Sequence, residues 1–265
     1  MIRYAFLGLC LLSNSILAAT QPDPFPRVAD AYLVEIDGEA VWAKQADKQL
    51  SQASLTKLMT GLLVLEKNQL QDWAAIKADA ARETGSRLFL KQGDQFRVAD
   101  LLEGTLIASA NDACHALADH LAGNEAEFVK LMNKRALELG LTHTRFQNAC
   151  GHDAPDHYSS VSDLAILAHE ILKHPEVINI TSKQNITISS PTGHSFKGIN
   201  KNALIGRYPG AIGLKTGSTN NAGKCLVAYV KRDGHEVLLI MLHGQDRWWD
   251  AVDMLDLALA HARAH

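Results

Sequence analysis

The stretch KCLVAYVKRDGHEVLLIMLH, residues 224–243, decides the architecture. Two apolar runs, 224–231 and 237–243, stand either side of Arg232-Asp233-Gly234. Asp-Gly between strand formers is a strong hairpin signal, because both residues readily take the positive φ that a tight turn needs. The same grammar recurs near the other end, where residues 31–36 and 40–44 flank Asp37-Gly38. Between these ends the apolar period lengthens to that of a helix, at roughly 54–67, 98–122 and 125–140, with another helix expected near 161–173. Strands at both ends with helices between them predict an α+β fold: an antiparallel β-sheet flanked by N- and C-terminal helices, with an inserted all-helical lobe. A cleft between sheet and lobe is the natural place for a ligand.

The chain has 265 residues, 47% hydrophobic and 21% charged, with a formal net charge of −3. Such a balance fits a globular protein of one large or two small domains. It lacks the field that gathers a polyanion, so no nucleic acid partner is expected. Arg3, the apolar run 4–12 and the small pair Ala18-Ala19 read as a secretory signal peptide cleaved near Thr20. The apolar run is too short to span a bilayer. A lipoprotein reading of Leu7-Gly8-Leu9-Cys10 fits less well, because Leu9 is bulky where a small residue is expected. The expected division is 1–19 as signal peptide and 20–265 as one domain, exported to the periplasm or otherwise outside the cytoplasm. No strong membrane anchor is expected either. Residues 248–264 set Asp250, Asp253 and Asp256 among Val252, Leu255 and Leu259, an acidic amphipathic helix, whereas an anchor for anionic lipid would carry Lys or Arg. Cys114, Cys150 and Cys225 remain after cleavage. Free buried thiols are the expectation, with Cys114–Cys150 the one pairing to test.

The chemistry begins at Ser54-Leu55-Thr56-Lys57. Leu55, Leu58, Met59, Leu62 and Leu63 follow helical spacing, so the first turn starts at Ser54, and Ser54 and Lys57 lie on one side of it. In isolation such a serine is a helix cap and such a lysine a solvated charge. A lysine can instead deprotonate a serine if burial beside another cation depresses its pKa. Lys215 is the candidate second cation. It follows an apolar run, 211–214, and opens Lys215-Thr216-Gly217-Ser218, a strand whose Gly217 would let a substrate backbone approach. Ser109-Ala110-Asn111 interrupts the helical region between them with polar groups.

A Ser-x-x-Lys at a helix start, a Ser-x-Asn some 55 residues later and a Lys-Thr-Gly on a late strand form the motif set of penicillin-binding proteins and class A β-lactamases. The wider stretches 52–60, 106–113, His157-Tyr158-Ser159-Ser160 and 215–219 closely resemble the low-molecular-mass D-alanyl-D-alanine carboxypeptidases, over about residues 28–245. The resemblance implies a serine peptidase acting on peptidoglycan stem peptides that end in D-Ala-D-Ala, and inhibited covalently by β-lactam antibiotics. It implies Ser54 as nucleophile and Lys57 as its base, with Ser109 relaying a proton to the leaving amine and Asn111 positioning Lys57 and the substrate amide. Lys215 would hold a positive field, Thr216 would bind the terminal carboxylate, and the backbone N–H groups of Ser54 and Ser218 would form the oxyanion hole. No metal or organic cofactor is implied. Arg247 is either a further ligand of the carboxylate or an exposed Arg capping the sheet. Larger relatives carry a β-rich domain and an anchor after the catalytic domain, so a chain ending at His265 is expected to be the catalytic domain alone.

Carboxypeptidase and cross-link endopeptidase activities both stay open at this point. A β-lactamase is disfavoured because no Glu-x-x-x-Asn lies between Asn111 and Lys215. A non-catalytic peptidoglycan-binding protein is disfavoured because Ser54, Lys57 and Lys215 are all retained. His169-Glu170 with His174 is off the spacing of a zinc-protease helix, which needs its two histidines four apart.

Overall fold

The computed structural model describes residues 23–264, so the signal peptide expected over 1–19 lies outside the described residues. Strand β1 (Ala29–Ile36) turns into β2 (Glu39–Lys44) at Asp37 and Gly38, whose φ values of 51° and 85° are those of the tight hairpin that Asp-Gly encodes. A 3₁₀ turn, Ala53–Thr56, leads into α1 (Lys57–Lys67). Next come β3 (Trp73–Ala75), the one-turn α2 (Ala78–Ala81) and β4 (Gln95–Arg97), β3 and β4 forming a small ribbon. Helices α3 (Val98–Ile107), α4 (Asn111–Ala122), α5 (Glu125–Glu138), α6 (Val161–Leu172) and α7 (Pro175–Thr181) follow. A second ribbon, β5 (Asn185–Ser189) and β6 (Ser195–Ile199), precedes β7 (Ala211–Thr219), β8 (Gly223–Arg232), β9 (His235–Gly244) and α8 (Arg247–Ala264).

The main sheet runs β2-β1-β9-β8-β7, antiparallel throughout. Its central strands are covered on both faces, which is why 224–243 reads as nearly unbroken apolar sequence. Val237, Leu239 and Met241 of β9 pack with Met254, Leu255 and Leu259 of α8, while Leu238, Ile240 and Leu242 face the larger core of the helical lobe. The acidic C-terminal helix therefore spends its apolar stripe on the protein's own sheet, as its sequence predicts. The opposite face is covered by α6 and the lobe, and no helix precedes β1 among the described residues. No described helix is long and apolar enough to cross a membrane. At the centre of the lobe α1 is buried nearly all round, through Leu58, Met59, Leu62, Val64 and Leu65.

The helical region 98–122 is broken at 108–110, within the polar interruption read from the sequence, where Ser109 takes a φ of 57° and turns the chain into α4. The structure departs from expectation in two places. The two ribbons and α7 have no counterpart in the sequence reading. The second departure is the disulfide: Cys114 on α4 and Cys150 are bridged rather than free, their Cα atoms 5.9 Å apart and within bridging range. Cys225 is free and buried, as expected.

Candidate active site

Ser54 sits in the 3₁₀ turn that enters α1, where the central helix of the lobe meets the edge strand β7. The preceding Ala53 is held at a φ of 49°, a region that a non-glycine residue occupies only when its surroundings fix it. Those surroundings are a short relay of hydrogen bonds. The Thr56 hydroxyl donates to the Ala53 carbonyl at 2.8 Å, and His157 Nε2 lies 2.8 Å from that hydroxyl. The Gln147 backbone N–H donates to His157 Nδ1 at 2.8 Å, so the proton of the neutral ring is on Nε2 and points at Thr56. Burial favours that neutral form and pulls the His157 pKa down to about 4. His157, part of the His-Tyr-Ser-Ser stretch, is thus a strut beneath the Ser54 turn.

Lys57 is fully buried and makes three contacts. Its Nζ donates to Ser54 Oγ at 3.0 Å, to Asn111 Oδ1 at 2.7 Å and to the Cys150 carbonyl at 2.5 Å. Burial depresses its pKa to about 7, against the opposing pull of the Glu83 and Asp112 carboxylates. Of the two causes expected together, burial and a neighbouring cation, burial is the one that acts on Lys57. Asn111 spends its oxygen on Lys57 and donates through Nδ2 to the Thr84 carbonyl at 2.6 Å, which ties the start of α4 to the 82–90 loop. That loop is pinned again by Asp112, whose buried carboxylate accepts the backbone N–H groups of Leu88 and Leu90. On the other side, Asn148 Oδ1 accepts three successive N–H groups, from Cys150, Gly151 and His152, and fixes the segment that aims the Cys150 carbonyl at Lys57. Glu83 links these segments: its two carboxylate oxygens meet His115 Nδ1 at 2.7 Å and His152 Nε2 at 2.8 Å. Although burial opposes ionisation, the bonds to His115 and His152 hold the Glu83 pKa at about 2, so it carries a full negative charge.

Strand β7 forms the opposite wall. Lys215 is buried, and its Nζ donates to Ser109 Oγ at 2.9 Å and to the Thr216 carbonyl at 2.8 Å. Its pKa falls well below the ordinary lysine value through burial first and the neighbouring Lys57 second. Thr216, Gly217 and Ser218 line a cleft of about 160 Å³ with Ser54, Ser86, Ser109, Lys201 and Arg247. Gly217 also serves the packing of the protein itself. A Cβ there would stand 3.0 Å from Ala53 Cβ, the Gln52 carbonyl and the Ser54 nitrogen, so the glycine lets β7 close on the serine turn. Arg247, at the start of α8, is not an exposed cap. It donates to the Gly217 carbonyl at 2.7 Å and the Cys225 carbonyl at 2.9 Å, stacks on Trp248, and keeps its buried Nε without a partner among the described residues.

All nine residues singled out from the sequence therefore converge: Ser54, Lys57, Ser109, Asn111, Lys215, Thr216, Gly217, Ser218 and Arg247. The sequence reading missed the Cys150 carbonyl, Thr84, Ser86, Glu83 and Lys201. A backbone carbonyl carries no sequence signature, and the 82–90 loop has neither a helical nor a strand period.

Comparison with known proteins gives a consistent result. The sequence profile of the peptidase S11 family, D-alanyl-D-alanine carboxypeptidase, matches residues 19–246. The D-alanyl-D-alanine carboxypeptidase DacF of Bacillus subtilis is 37% identical over 244 residues, covering 89% of this chain, which spans only 63% of the length of DacF. Among solved structures, the Streptomyces K15 DD-transpeptidase superposes with a TM-score of 0.82 at 28% identity, over 88% of this chain and 98% of that one. Penicillin-binding protein D2 of Listeria monocytogenes, solved in its ampicillin-bound form, gives 0.76 at 34% identity with the same coverage.

Proposed function

The chain belongs to the D-alanyl-D-alanine carboxypeptidase family, and from that premise we propose that it is a serine carboxypeptidase that removes the terminal D-Ala of peptidoglycan stem peptides through an acyl-enzyme on Ser54. One observation carries the reading: Nζ of a buried Lys57, its pKa near neutrality, lies 3.0 Å from the hydroxyl of a half-buried serine at the mouth of the cleft. Lys57 in its neutral form takes the Ser54 proton as Oγ bonds to the carbonyl carbon of the penultimate D-Ala. Backbone N–H groups of Ser54 and Ser218 receive the oxyanion, a contribution of about 2.7–4 kcal/mol per donor in comparable sites. Ser109, hydrogen-bonded to Lys215, passes its proton to the leaving nitrogen as the C–N bond breaks and receives in its place the proton that Lys57 took from Ser54, which leaves Lys57 neutral again as D-Ala departs. Thr216 and Arg247 meet its carboxylate, and Asn111 holds Lys57 in place. Water, deprotonated by Lys57, then attacks the ester carbon, and Lys57 returns that proton to Ser54 Oγ as the C–Oγ bond breaks. The cycle needs no metal or organic cofactor. Penicillins acylate Ser54 by the same attack on their strained amide.

The enzyme works outside the cytoplasm after loss of a signal peptide over 1–19. In support, the family match begins at residue 19, and a Cys114–Cys150 disulfide suits an oxidising compartment. Incubating the protein with intact sacculi and separating the muropeptides tests the function. Pentapeptide stems converted to tetrapeptides, with cross-links left whole, are expected; cleaved dimers would assign it to endopeptidases instead.

The base assignment makes a prediction about pH. Because burial lowers the Lys57 pKa to about 7, the reactive neutral form gains population as pH rises, and kcat/KM for a D-Ala-D-Ala peptide climbs through pH 7 to a plateau. Glu83 favours the protonated form, so Glu83→Gln moves the climb to lower pH. A rate that is flat from about pH 6 to 10 contradicts a titrating lysine base.

A further inference from the structure

Beyond the cleft that holds Ser54, and continuous with it through Ser86 and Lys201, runs a second groove of about 340 Å³ between the 82–90 loop and the β5–β6 ribbon. Its chemistry differs from that of the cleft. Arg87, Lys197 and Lys201 border it, no acidic side chain lines it, and among the described residues none of the three cations has a carboxylate partner. In a chain of net charge −3, three unpaired cations around one groove form a local field of the wrong sign for the surface as a whole. Two large apolar side chains, Phe89 and Ile199, 66% and 69% exposed, stand beside them. Arg87 is preorganised: one nitrogen donates to the Glu83 carbonyl at 2.7 Å, and the guanidinium lies 4.7 Å from the Phe89 ring centre.

We infer that this groove is a specificity subsite for the acyl-donor side of the substrate, and that Arg87 and Lys197 select stems carrying a free carboxylate upstream of the D-Ala-D-Ala end. The inference rests on the carboxypeptidase reading of the neighbouring cleft. Phe89 and Ile199 supply apolar contact for the aliphatic part of such a stem, and the cations supply charge-assisted hydrogen bonds to its carboxylate.

Two acetylated pentapeptides ending in D-Ala-D-Ala test it, alike except that one has a free α-carboxylate on its glutamyl residue and the other a carboxamide. Diacetyl-lysyl-D-Ala-D-Ala, too short to fill the groove, reports the reaction itself. The wild-type protein is expected to prefer the carboxylate form by about fivefold to tenfold in kcat/KM, as suits a few exposed charge contacts. Raised salt shrinks the preference, because such contacts are screened. In Arg87→Glu/Lys197→Glu the preference disappears or reverses. A wild-type ratio near one, or a ratio that the double variant leaves intact, overturns the subsite while turnover of the short peptide continues. No turnover of any of the three by the wild-type protein overturns the carboxypeptidase reading instead.

Discussion

Ser54→Ala eliminates covalent labelling by a fluorescent penicillin and lowers D-Ala release by about 10³-fold to 10⁶-fold, the range seen when a nucleophile that acts as part of a unit is removed. The protein itself stays folded, with a melting midpoint close to that of the wild type. The separation of these outcomes follows from the geometry. Ser54 Oγ is one of three acceptors on Lys57, and the other two, Asn111 Oδ1 and the Cys150 carbonyl, remain when it is deleted. Lys57 therefore keeps its position and most of its hydrogen bonding, and the half-buried turn loses one oxygen with no cavity in the core. Labelling or turnover retained at wild-type levels would remove Ser54 as nucleophile, and with it the acyl-enzyme. A loss of labelling accompanied by a collapse of the melting midpoint would instead make Ser54 a structural cap.

The sheet and the site differ in how much of them the sequence carries. The hairpins at Asp37-Gly38 and Asp233-Gly234 are legible because the turn chemistry is local: positive φ at both positions is inexpensive for these residues and expensive for most others. The central helix is legible because α1 repeats its apolar residues over three turns. Strands of three residues such as β3 and β4 fall below any periodic signal, and their pairing is a property of the fold around them. The site divides in the same way. Side chains with reactive chemistry announced themselves by type and spacing, since Ser54, Lys57 and the Lys215 strand have no common structural role together. What remained hidden is whatever acts through the main chain or through burial. The Cys150 carbonyl that holds Lys57, the need for Gly217 against the Ala53 turn, and the burial that brings the Lys57 pKa near 7 exist only once distant segments have met. The disulfide was hidden for the same reason, because 36 residues of sequence say nothing about whether two Cα atoms come within 6 Å.

Gly151→Ala is the largest effect expected from a residue with no side chain of its own to contribute. Gly151 has a φ of +88°, and a methyl group there would overlap the Ala53 carbonyl and stand 2.8 Å from the Ser54 nitrogen. Both obstacles are backbone, so no rotamer change relieves them. Gly151 also follows directly on Cys150 and donates its N–H to Asn148 Oδ1 at 2.7 Å, which leaves the 148–152 segment little room to retreat. The turn that presents Ser54 must move, or the Cys150 carbonyl must, and either motion separates Ser54 from Lys57. Left-handed strain adds roughly 1–2 kcal/mol and overpacking roughly 1–3 kcal/mol, so the midpoint drops by about 5–15 °C. Activity falls by about 10²-fold or more, the effect of misplacing reacting groups by an ångström. Gly140→Ala separates the two causes. Gly140 has a comparable φ of +74° at the end of α5 but open space around its Cβ position, so it suffers the strain without the overlap and keeps wild-type turnover. Equal losses of turnover in the two variants, or none in Gly151→Ala, would show that the Ser54 turn does not depend on the close approach of Gly151.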